Sequence, residues 1–190
     1  MSNAKQSGAA ECAATLENLQ AALNGEWNAK ARYIQFAVQA NAEGFGPVAS
    51  LFRAAALAEG IHADNHKKVI AKMGQTPFVK FEIPEVNSTR ENLEAAIRGE
   101  SYERDEMYPA FIAQARADAH AAAERTFAWA MAAEAEHARL YTSALDDLEN
   151  MRRAARAYCV CPVCGYTSER PDFELCPACS TPVEEFQEVS

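Results

Sequence analysis

Residues 59–62 read EGIH and residues 134–137 read EAEH, so a glutamate is followed three positions later by a histidine in both stretches. Residues three apart lie on one face of an α-helix, and each stretch therefore presents a carboxylate beside an imidazole. Two other predicted helices contribute glutamates alone, namely Glu26 and the pair Glu100 and Glu103. A glutamate from each of two helices, with Glu-x-x-His from each of the other two, is the ligand set of a carboxylate-bridged dimetal site. The sequence therefore predicts a four-helix bundle around two metal ions, with one additional glutamate.

A single Glu-x-x-His would more often lie on a solvated helix face, but here every copy is in register with apolar residues at helical spacing. The expected ligands are Glu26, Glu59, His62, Glu100, Glu103, Glu134 and His137. Five buried carboxylates would each cost several kcal/mol if nothing compensated their charge. Two divalent cations would nearly cancel that charge. Mixed carboxylate and imidazole ligation favours iron or manganese over a structural zinc.

The segment 75–87 separates the second predicted helix from the third, because Pro77 and Pro84 prevent a helix there. Thirteen extended residues reach at most about 43 Å, which matches the length of a helix of about 28 residues. The segment can therefore cross the length of the bundle, and the second and third helices are expected to be parallel. This predicts an all-α, ferritin-like bundle with one long crossover. Ser88 and Glu91 form a capping box for the third helix, and Pro109 is expected to kink it.

At 190 residues the chain can hold one medium and one small domain, which we expect at 10–153 and 156–190. The formal charge of −9 argues against nucleic-acid binding. No apolar run is long enough to cross a membrane, and Met1 to Ala14 lacks the pattern of a secretory signal. We therefore expect a cytoplasmic protein without a membrane partner.

The C-terminal region holds two Cys-x-x-Cys knuckles, formed by Cys161, Cys164, Cys176 and Cys179. Such a pair can surround one tetrahedral ion, and the spacing alone fits a zinc ribbon nearly as well as iron. Iron is favoured by context, because a one-electron centre has an evident use beside a redox-active dimetal site. The small core of this module is expected to use Tyr158, Tyr166, Phe173 and Phe186. Cys12 and Cys159 are expected to be free thiols.

Taken in order, these motifs resemble the rubrerythrin family, whose members join a ferritin-like diiron bundle to a C-terminal rubredoxin module. The matching stretches are Gly25-Glu26, Glu59-x-x-His62, Gly99-Glu100-x-x-Glu103, Glu134-x-x-His137 and the two cysteine knuckles. The resemblance implies two irons in the bundle, a third iron on the cysteines, and a peroxidase that reduces hydrogen peroxide to water in oxidative-stress defence. Electrons would come from a reduced nicotinamide coenzyme through a separate reductase or a rubredoxin-type donor. A head-to-tail homodimer is also implied, in which the rubredoxin iron of one subunit lies near the diiron pair of its partner.

The resemblance also implies a role for each ligand. Glu59 and Glu134 would bridge the irons, while Glu100 with His137 would bind one iron and Glu26 with Glu103 the other. His62 and Glu103 would exchange on one iron as its oxidation state changes, which makes them the expected catalytic ligands. Tyr33 and Tyr108 match tyrosines beside the ligands, and their inward positions are compatible with hydrogen bonds to the carboxylates.

The sequence departs from the family pattern at two positions of the rubredoxin module. Cys159 stands where an aromatic residue is usual, and Ser180 follows the second knuckle where glycine is common. Both departures concern the cysteine-bound iron rather than the diiron ligands. Two alternative functions stay open: a ferroxidase or oxidase that uses dioxygen, and an iron-binding storage or sensing protein.

Overall fold

The computed structural model describes residues 12–190, in which a long four-helix bundle is followed by a small three-stranded sheet. The bundle helices are α1 (Ala13–Ala42), α2 (Gly46–Lys72), α3 (Thr89–Tyr102) continued by α4 (Tyr108–Ala117), and α5 (Ala121–Asp146). Residues 1–11 lie outside the described range. They include most of the segment Met1 to Ala14, for which the sequence predicts no secretory signal, and the first two residues of the predicted 10–153 domain. The chain therefore has the predicted ferritin-like fold with a C-terminal cysteine cluster.

Helices α1 and α2 form a hairpin joined by a short turn at Glu43–Phe45. Gly44 adopts a φ of +83°, which glycine tolerates without steric cost. Pro47 occupies the first turn of α2, where its missing N–H has no intrahelical partner to lose. The faces in contact are rich in alanine and carry fully buried Phe52 and Leu51, so the two backbones approach closely.

The third bundle helix is interrupted by a π-helix at Glu103–Met107, between α3 and α4. Pro109 stands in the first turn of α4, and the predicted distortion of this helix takes the form of a wider turn. The start of α3 has the predicted capping box: Ser88 accepts from the Glu91 N–H, and Glu91 accepts from the Ser88 N–H at 3.0 Å. The π-helix places Glu103 at a point where helical hydrogen bonding changes.

The crossover between α2 and α3 runs along α1 and is held by side-chain amides. These amides belong to Gln20, Asn24 and Asn28. The backbone N–H groups of Phe78, Lys80 and Glu82 donate to them at 3.4, 2.8 and 3.0 Å, respectively. Four residues of helix rise about 6 Å, which is close to the advance of two residues in an extended chain. Because these two distances are similar, amide side chains four residues apart on α1 can bind every second residue of the extended crossover.

The C-terminal sheet has the order β2-β1-β3, with β1 at Tyr158–Val160, β2 at Thr167–Ser168 and β3 at Gln187–Val189. Both pairings are antiparallel, and Cys159 lies opposite Ser168 and Glu188. Tyr158 packs into the core of the bundle rather than into the small module, contrary to expectation. Tyr166, Phe173 and Phe186 do pack together, with ring centroids 6.0 Å apart for Tyr166 and Phe173 and 5.8 Å apart for Phe173 and Phe186.

Among residues 12–190, none of the helices combines the length and apolar character needed to span a bilayer.

Candidate metal centres

A cluster of carboxylates lies in the interior of the bundle, one from each helix. Glu26 of α1, Glu59 of α2, Glu100 of α3 and Glu134 of α5 are all fully buried. Each follows the apolar residues of its helix at three-and-four spacing, so the packing that buries the leucines and alanines buries the carboxylates with them. Such an anionic interior requires compensation by protons or cations.

The structure groups six buried side chains into two sets that share two members. The first set is Glu26, Glu59, His62 and Glu134, and the second is Glu59, Glu100, Glu134 and His137. In each set, one ligand atom from every residue lies within 4.8 Å of the others. Glu59 and Glu134 belong to both sets, and each turns one oxygen toward His62 and the other toward His137.

Both histidines turn Nδ1 toward the carboxylates. His62 Nδ1 lies 2.9 Å from Glu59 Oε2 and 3.0 Å from Glu134 Oε1. His137 Nδ1 lies 2.9 Å from Glu134 Oε2 and 3.7 Å from Glu100 Oε2. The His137 nitrogen is nevertheless without a properly aligned hydrogen bond, as are both oxygens of Glu134. These atoms are close together but do not satisfy one another.

Polar atoms without hydrogen bonds are concentrated in this cluster. Among the described residues, the buried and unpaired atoms of the cluster are Glu26 Oε2, Glu59 Oε1, Glu100 Oε2, both Glu134 oxygens and His137 Nδ1. Buried polar atoms are almost always paired, and each exception costs roughly 1–3 kcal/mol or more. Two cations would engage these oxygen and nitrogen atoms, so the residues fit a dinuclear metal site with mixed carboxylate and imidazole ligands.

Without cations, the cluster holds protons. Burial and the neighbouring Glu134 carboxylate raise the pKa of Glu59 and lift that of Glu100 from 4.5 to about 7. Burial works against a charged His137, but the nearby Glu100 and Glu134 carboxylates outweigh it and raise the pKa of the imidazole. Metal ions must displace these protons, so metal binding is expected to release protons to solvent.

Glu103 stands apart from both sets. Its carboxyl belongs to the π-helix, and burial together with Glu26 and other carboxylates raises its pKa. The family resemblance implied that Glu26 and Glu103 would bind one iron and that His62 would exchange with Glu103 there. The structure groups His62 with Glu26, and the ligand role of Glu103 stays a prediction. π-Helical turns are frequent at functional sites, and Glu103 occupies a turn whose backbone differs from that of an ordinary helix.

Two tyrosines donate to the carboxylates. The Tyr33 hydroxyl donates to Glu100 Oε1 at 2.6 Å, and the Tyr108 hydroxyl donates to Glu26 Oε1. Both positions follow from the inward spacing seen in the sequence. Sequence reasoning gave no role to Tyr141, whose fully buried hydroxyl has no hydrogen-bond partner among the described residues. In the sequence, its position on the apolar face of α5 indicates that Tyr141 is buried but not that its hydroxyl lies near the site.

The four knuckle cysteines form the second candidate centre. Their sulfur atoms lie within 4.8 Å of one another, and the Cys161–Cys179 and Cys164–Cys176 pairs are 3.5 Å apart. Metal–sulfur bonds of about 2.3 Å place tetrahedral sulfurs about 3.8 Å apart, so the cluster needs little change to hold one ion. The Cys164 thiol, together with backbone N–H groups and against the effect of burial, lowers the pKa of Cys161 from 9.0 to about 5. The site thus favours a thiolate before a metal arrives.

The two centres meet through the histidines. His62 Nε2 lies 3.0 Å from the Cys164 carbonyl oxygen, and His137 Nε2 lies 3.0 Å from Thr167 Oγ1. Gly165 lies between these contacts with a φ of +78°, and a Cβ there would overlap the His62 ring. The contact is made within one chain. The head-to-tail dimer that the family resemblance implies stays a prediction. Sequence spacing carried no signal for the contact within the chain.

Comparison with known proteins gives a family match over most of the chain. The Rubrerythrin family model matches residues 17–145. Nigerythrin of Nitratidesulfovibrio vulgaris is 38% identical over 175 residues, covering 90% of this chain and 85% of that protein. Rubrerythrin-2 of Clostridium acetobutylicum is 34% identical over 178 residues, covering 92% of this chain and 96% of that protein.

Solved structures show the same likeness. The fully reduced, all-ferrous state of nigerythrin superposes with a TM-score of 0.84 at 38% identity, covering 92% of this chain and 86% of that one. A bacterioferritin of Desulfovibrio desulfuricans gives a TM-score of 0.70 at 20% identity, covering 76% of this chain and 85% of that one. At that identity the second likeness concerns the fold alone.

Proposed function

The chain belongs to the rubrerythrin family of diiron proteins, and from this premise we propose that it is a non-haem diiron peroxidase that reduces hydrogen peroxide to water. The family is associated with defence against oxidative stress, which is the physiological role that we propose here. The observation that carries the proposal is the direct contact between the two candidate metal centres, where His62 touches Cys164. A storage or sensing protein would have no need for a cysteine site placed at the histidine ligand of a dimetal site.

Peroxide reduction consumes two electrons and two protons and breaks the O–O bond to give two water molecules. When bound, the iron pair would supply the two electrons. Glu59 and Glu134 would hold both metals, with His62 and Glu26 on one side and His137 on the other. The remaining ligand of the second side would be Glu100, which Tyr33 holds by a hydrogen bond.

The protons would be handled by the carboxyl groups themselves. Burial and neighbouring carboxylates raise the pKa of Glu103, so this group binds a proton more readily than an exposed carboxyl group does. Glu103 stands outside both ligand sets, where it is free to accept or deliver a proton and to approach the adjacent metal. We therefore propose that Glu103 and His62 are the ligands that respond to the redox state.

Electrons would enter at the cysteine site from a separate reductase linked to a reduced nicotinamide coenzyme, or from a rubredoxin-type donor. The hydrogen bond from His62 to the Cys164 carbonyl joins a cysteine ligand of one centre to an imidazole ligand of the other. Each transfer through this contact would return one electron to the iron pair. Two successive transfers would complete one turnover.

Stopped-flow oxidation of the fully reduced, iron-loaded protein tests this function. The protein is mixed separately with hydrogen peroxide and with dioxygen, and the absorbance of the oxidised cysteine-bound iron is followed. We expect oxidation by peroxide to be faster by a wide margin. Equal rates, or a faster reaction with dioxygen, would instead favour an oxidase or ferroxidase.

We further propose that the chain forms a homodimer through an apolar strip on α1 and the crossover. The strip consists of Ile34, Val38, Phe81, Ile83 and Val86, of which Ile83 is 90% exposed. Exposed apolar patches of this kind mark interaction surfaces. Sedimentation should show a dimer for the unmodified chain and a monomer for Ile83→Glu, while Leu175→Glu, an exposed leucine in the cysteine module, should remain dimeric. A monomeric unmodified chain would exclude the dimer.

A further inference from the structure

His66 is a fully buried histidine that belongs to neither ligand set. It lies one helical turn beyond His62 on α2, and its ring packs 5.4 Å from that of Phe127. Both of its ring nitrogens are nevertheless engaged: Nε2 lies 3.1 Å from the Tyr108 hydroxyl oxygen, and Nδ1 lies 3.2 Å from Thr126 Oγ1.

The proton count in this chain of contacts fixes the direction of each hydrogen bond. The Tyr108 hydroxyl has one proton, and it donates that proton to Glu26 Oε1. The Tyr108 oxygen can therefore only accept from His66, so Nε2 must carry a hydrogen. A neutral imidazole then leaves Nδ1 as an acceptor, which is satisfied by the Thr126 hydroxyl.

The opposite direction of the hydrogen bond between Tyr108 and His66 would be unfavourable. If Tyr108 donated to His66, its oxygen would face the Glu26 carboxylate with no proton between two acceptors. The protonation state of His66 agrees with donation from His66 to Tyr108, because burial lowers the pKa of the imidazole and favours its neutral form. The charged or titratable groups around it are Glu26, with an oxygen 3.8 Å from Nε2, and the more distant His62 and Glu134.

We propose that His66 is a positioning residue, which donates from Nε2 to Tyr108 and thereby commits the Tyr108 proton to the metal-binding carboxylate of Glu26. Thr126, His66 and Tyr108 thus form a single directed series of donors that ends at the metal site. The series holds one Glu26 oxygen by a hydrogen bond. The other oxygen, which is unpaired, stays available for a metal ion.

The first test observes the histidine directly and does not depend on the proposed peroxidase function. Nitrogen-15 NMR of the zinc-loaded, diamagnetic protein reports the protonation of each ring nitrogen in its four histidines. The signals that disappear in His66→Gln identify His66. We expect a neutral ring with hydrogen on Nε2 and an acceptor at Nδ1. Hydrogen on Nδ1 alone, which would leave Nε2 without a proton to donate to Tyr108, would overturn the proposal.

The second test asks whether His66 acts through Tyr108, and only this test rests on the proposed function. His66→Leu should lower kcat for peroxide by about tenfold with little change in KM, the range seen for groups that support metal ligands. His66→Gln keeps a neutral N–H donor and should retain most of kcat. The double variant His66→Leu with Tyr108→Phe should be no slower than Tyr108→Phe alone.

Metal content is measured for every variant, so that loss of iron is not mistaken for loss of positioning. His120→Asn serves as the histidine control, because His120 caps α5 through Nδ1 and is not part of this series, and asparagine can also cap a helix. Unchanged kcat in His66→Leu, or fully additive losses in the double variant, would contradict the proposed series. If no variant, including the unmodified chain, reduces peroxide, the peroxidase function fails while the NMR result still decides the role of His66.

Discussion

His62 is bound on both sides: Nδ1 faces Glu59 at 2.9 Å, and Nε2 lies 3.0 Å from the carbonyl oxygen of Cys164. If Nε2 carries the hydrogen and donates it to this carbonyl, Nδ1 is left free as a metal ligand. A hydrogen bond of this kind fixes ring orientation and strengthens the imidazole as a donor to metal. The cysteine module therefore orients a ligand of the other centre by its own backbone.

Gly165→Ala tests this contact. The added methyl group would overlap the His62 ring, so the module should move away and electron transfer from the cysteine-bound iron should slow by about tenfold or more. The rate of reoxidation of that iron after a peroxide pulse measures the effect. Gly74→Ala is the matched control, since Gly74 has a similar φ of +75° but its added methyl group would touch nothing within 4 Å. Equal transfer rates in the two variants would show that the close approach is not needed.

The metal-free protein should lose stability as pH rises from about 4.5 to about 7, the interval over which Glu100 ionises in the unfolded and folded states. The folded-state pKa is the higher one, so its contribution is fully present at low pH and is lost as the folded group ionises. The raised pKa values of His62 and His137 also make the folded protein less stable as pH rises, but at higher pH. Glu26 and Glu134, whose pKa values are lowered, affect the pH dependence of stability only below about pH 4.5.

Thermal unfolding at a series of pH values checks this prediction. The zinc-loaded protein should show a much flatter profile, because its ligands are already ionised at the metals. Glu100→Gln should flatten the profile of the metal-free protein. A metal-free protein that becomes more stable across this interval would contradict the proposed origin of the pKa shifts.

Glu103→Ala should spare metal loading yet slow turnover with peroxide. The six residues of the two ligand sets remain in the variant, so two metals can still bind. A carboxylate that acts in turnover contributes on the order of 100-fold or more to the rate. Iron content and kcat are measured together, with Glu106→Ala as a control on the exposed side of the same π-helix. Unchanged turnover would remove Glu103 from the mechanism.

Ser180→Gly should stabilise the cysteine module by about 1 kcal/mol. Ser180 adopts the left-handed backbone conformation, which costs residues with a Cβ about this much energy but costs glycine little. Its φ is +62°, and its N–H donates to the Cys176 carbonyl at 2.9 Å, just as Gly165 closes the first knuckle. The serine side chain is exposed, so its removal should cost little. Denaturant-induced loss of the cysteine-iron absorbance measures the change. A lower midpoint would show that the serine contributes a stabilising contact.

The bundle could be predicted from sequence because its signals are local. Helical spacing placed the glutamates inside, Ser88 and Glu91 marked the start of α3, and Pro109 marked the distortion next to it. Local patterns cannot report where two distant segments meet. The contact of His62 with Cys164 joins residues 102 positions apart through a backbone carbonyl, which has no signature in residue type.

The expected core of the cysteine module shows the same limit. Tyr158, Tyr166 and Phe173 all have the aromatic character that a small core needs, but Tyr158 faces the bundle and helps to join the two parts. His120 is half-buried and caps α5 by accepting from the Ala123 N–H at 3.2 Å, a role that its residue type alone does not predict. In both cases the partner, not the residue type, decides the role.

Anomalous diffraction at the iron edge, on crystals of anaerobically reconstituted protein, shows whether the buried carboxylates bind two metal ions. We expect two iron peaks inside the bundle. One should lie among Glu26, Glu59, His62 and Glu134, and the other among Glu59, Glu100, Glu134 and His137. A third peak should lie among the four knuckle cysteines. No anomalous signal inside the bundle after reconstitution would contradict the dimetal site, since the buried carboxylates would then persist without the cations that their unpaired oxygens require.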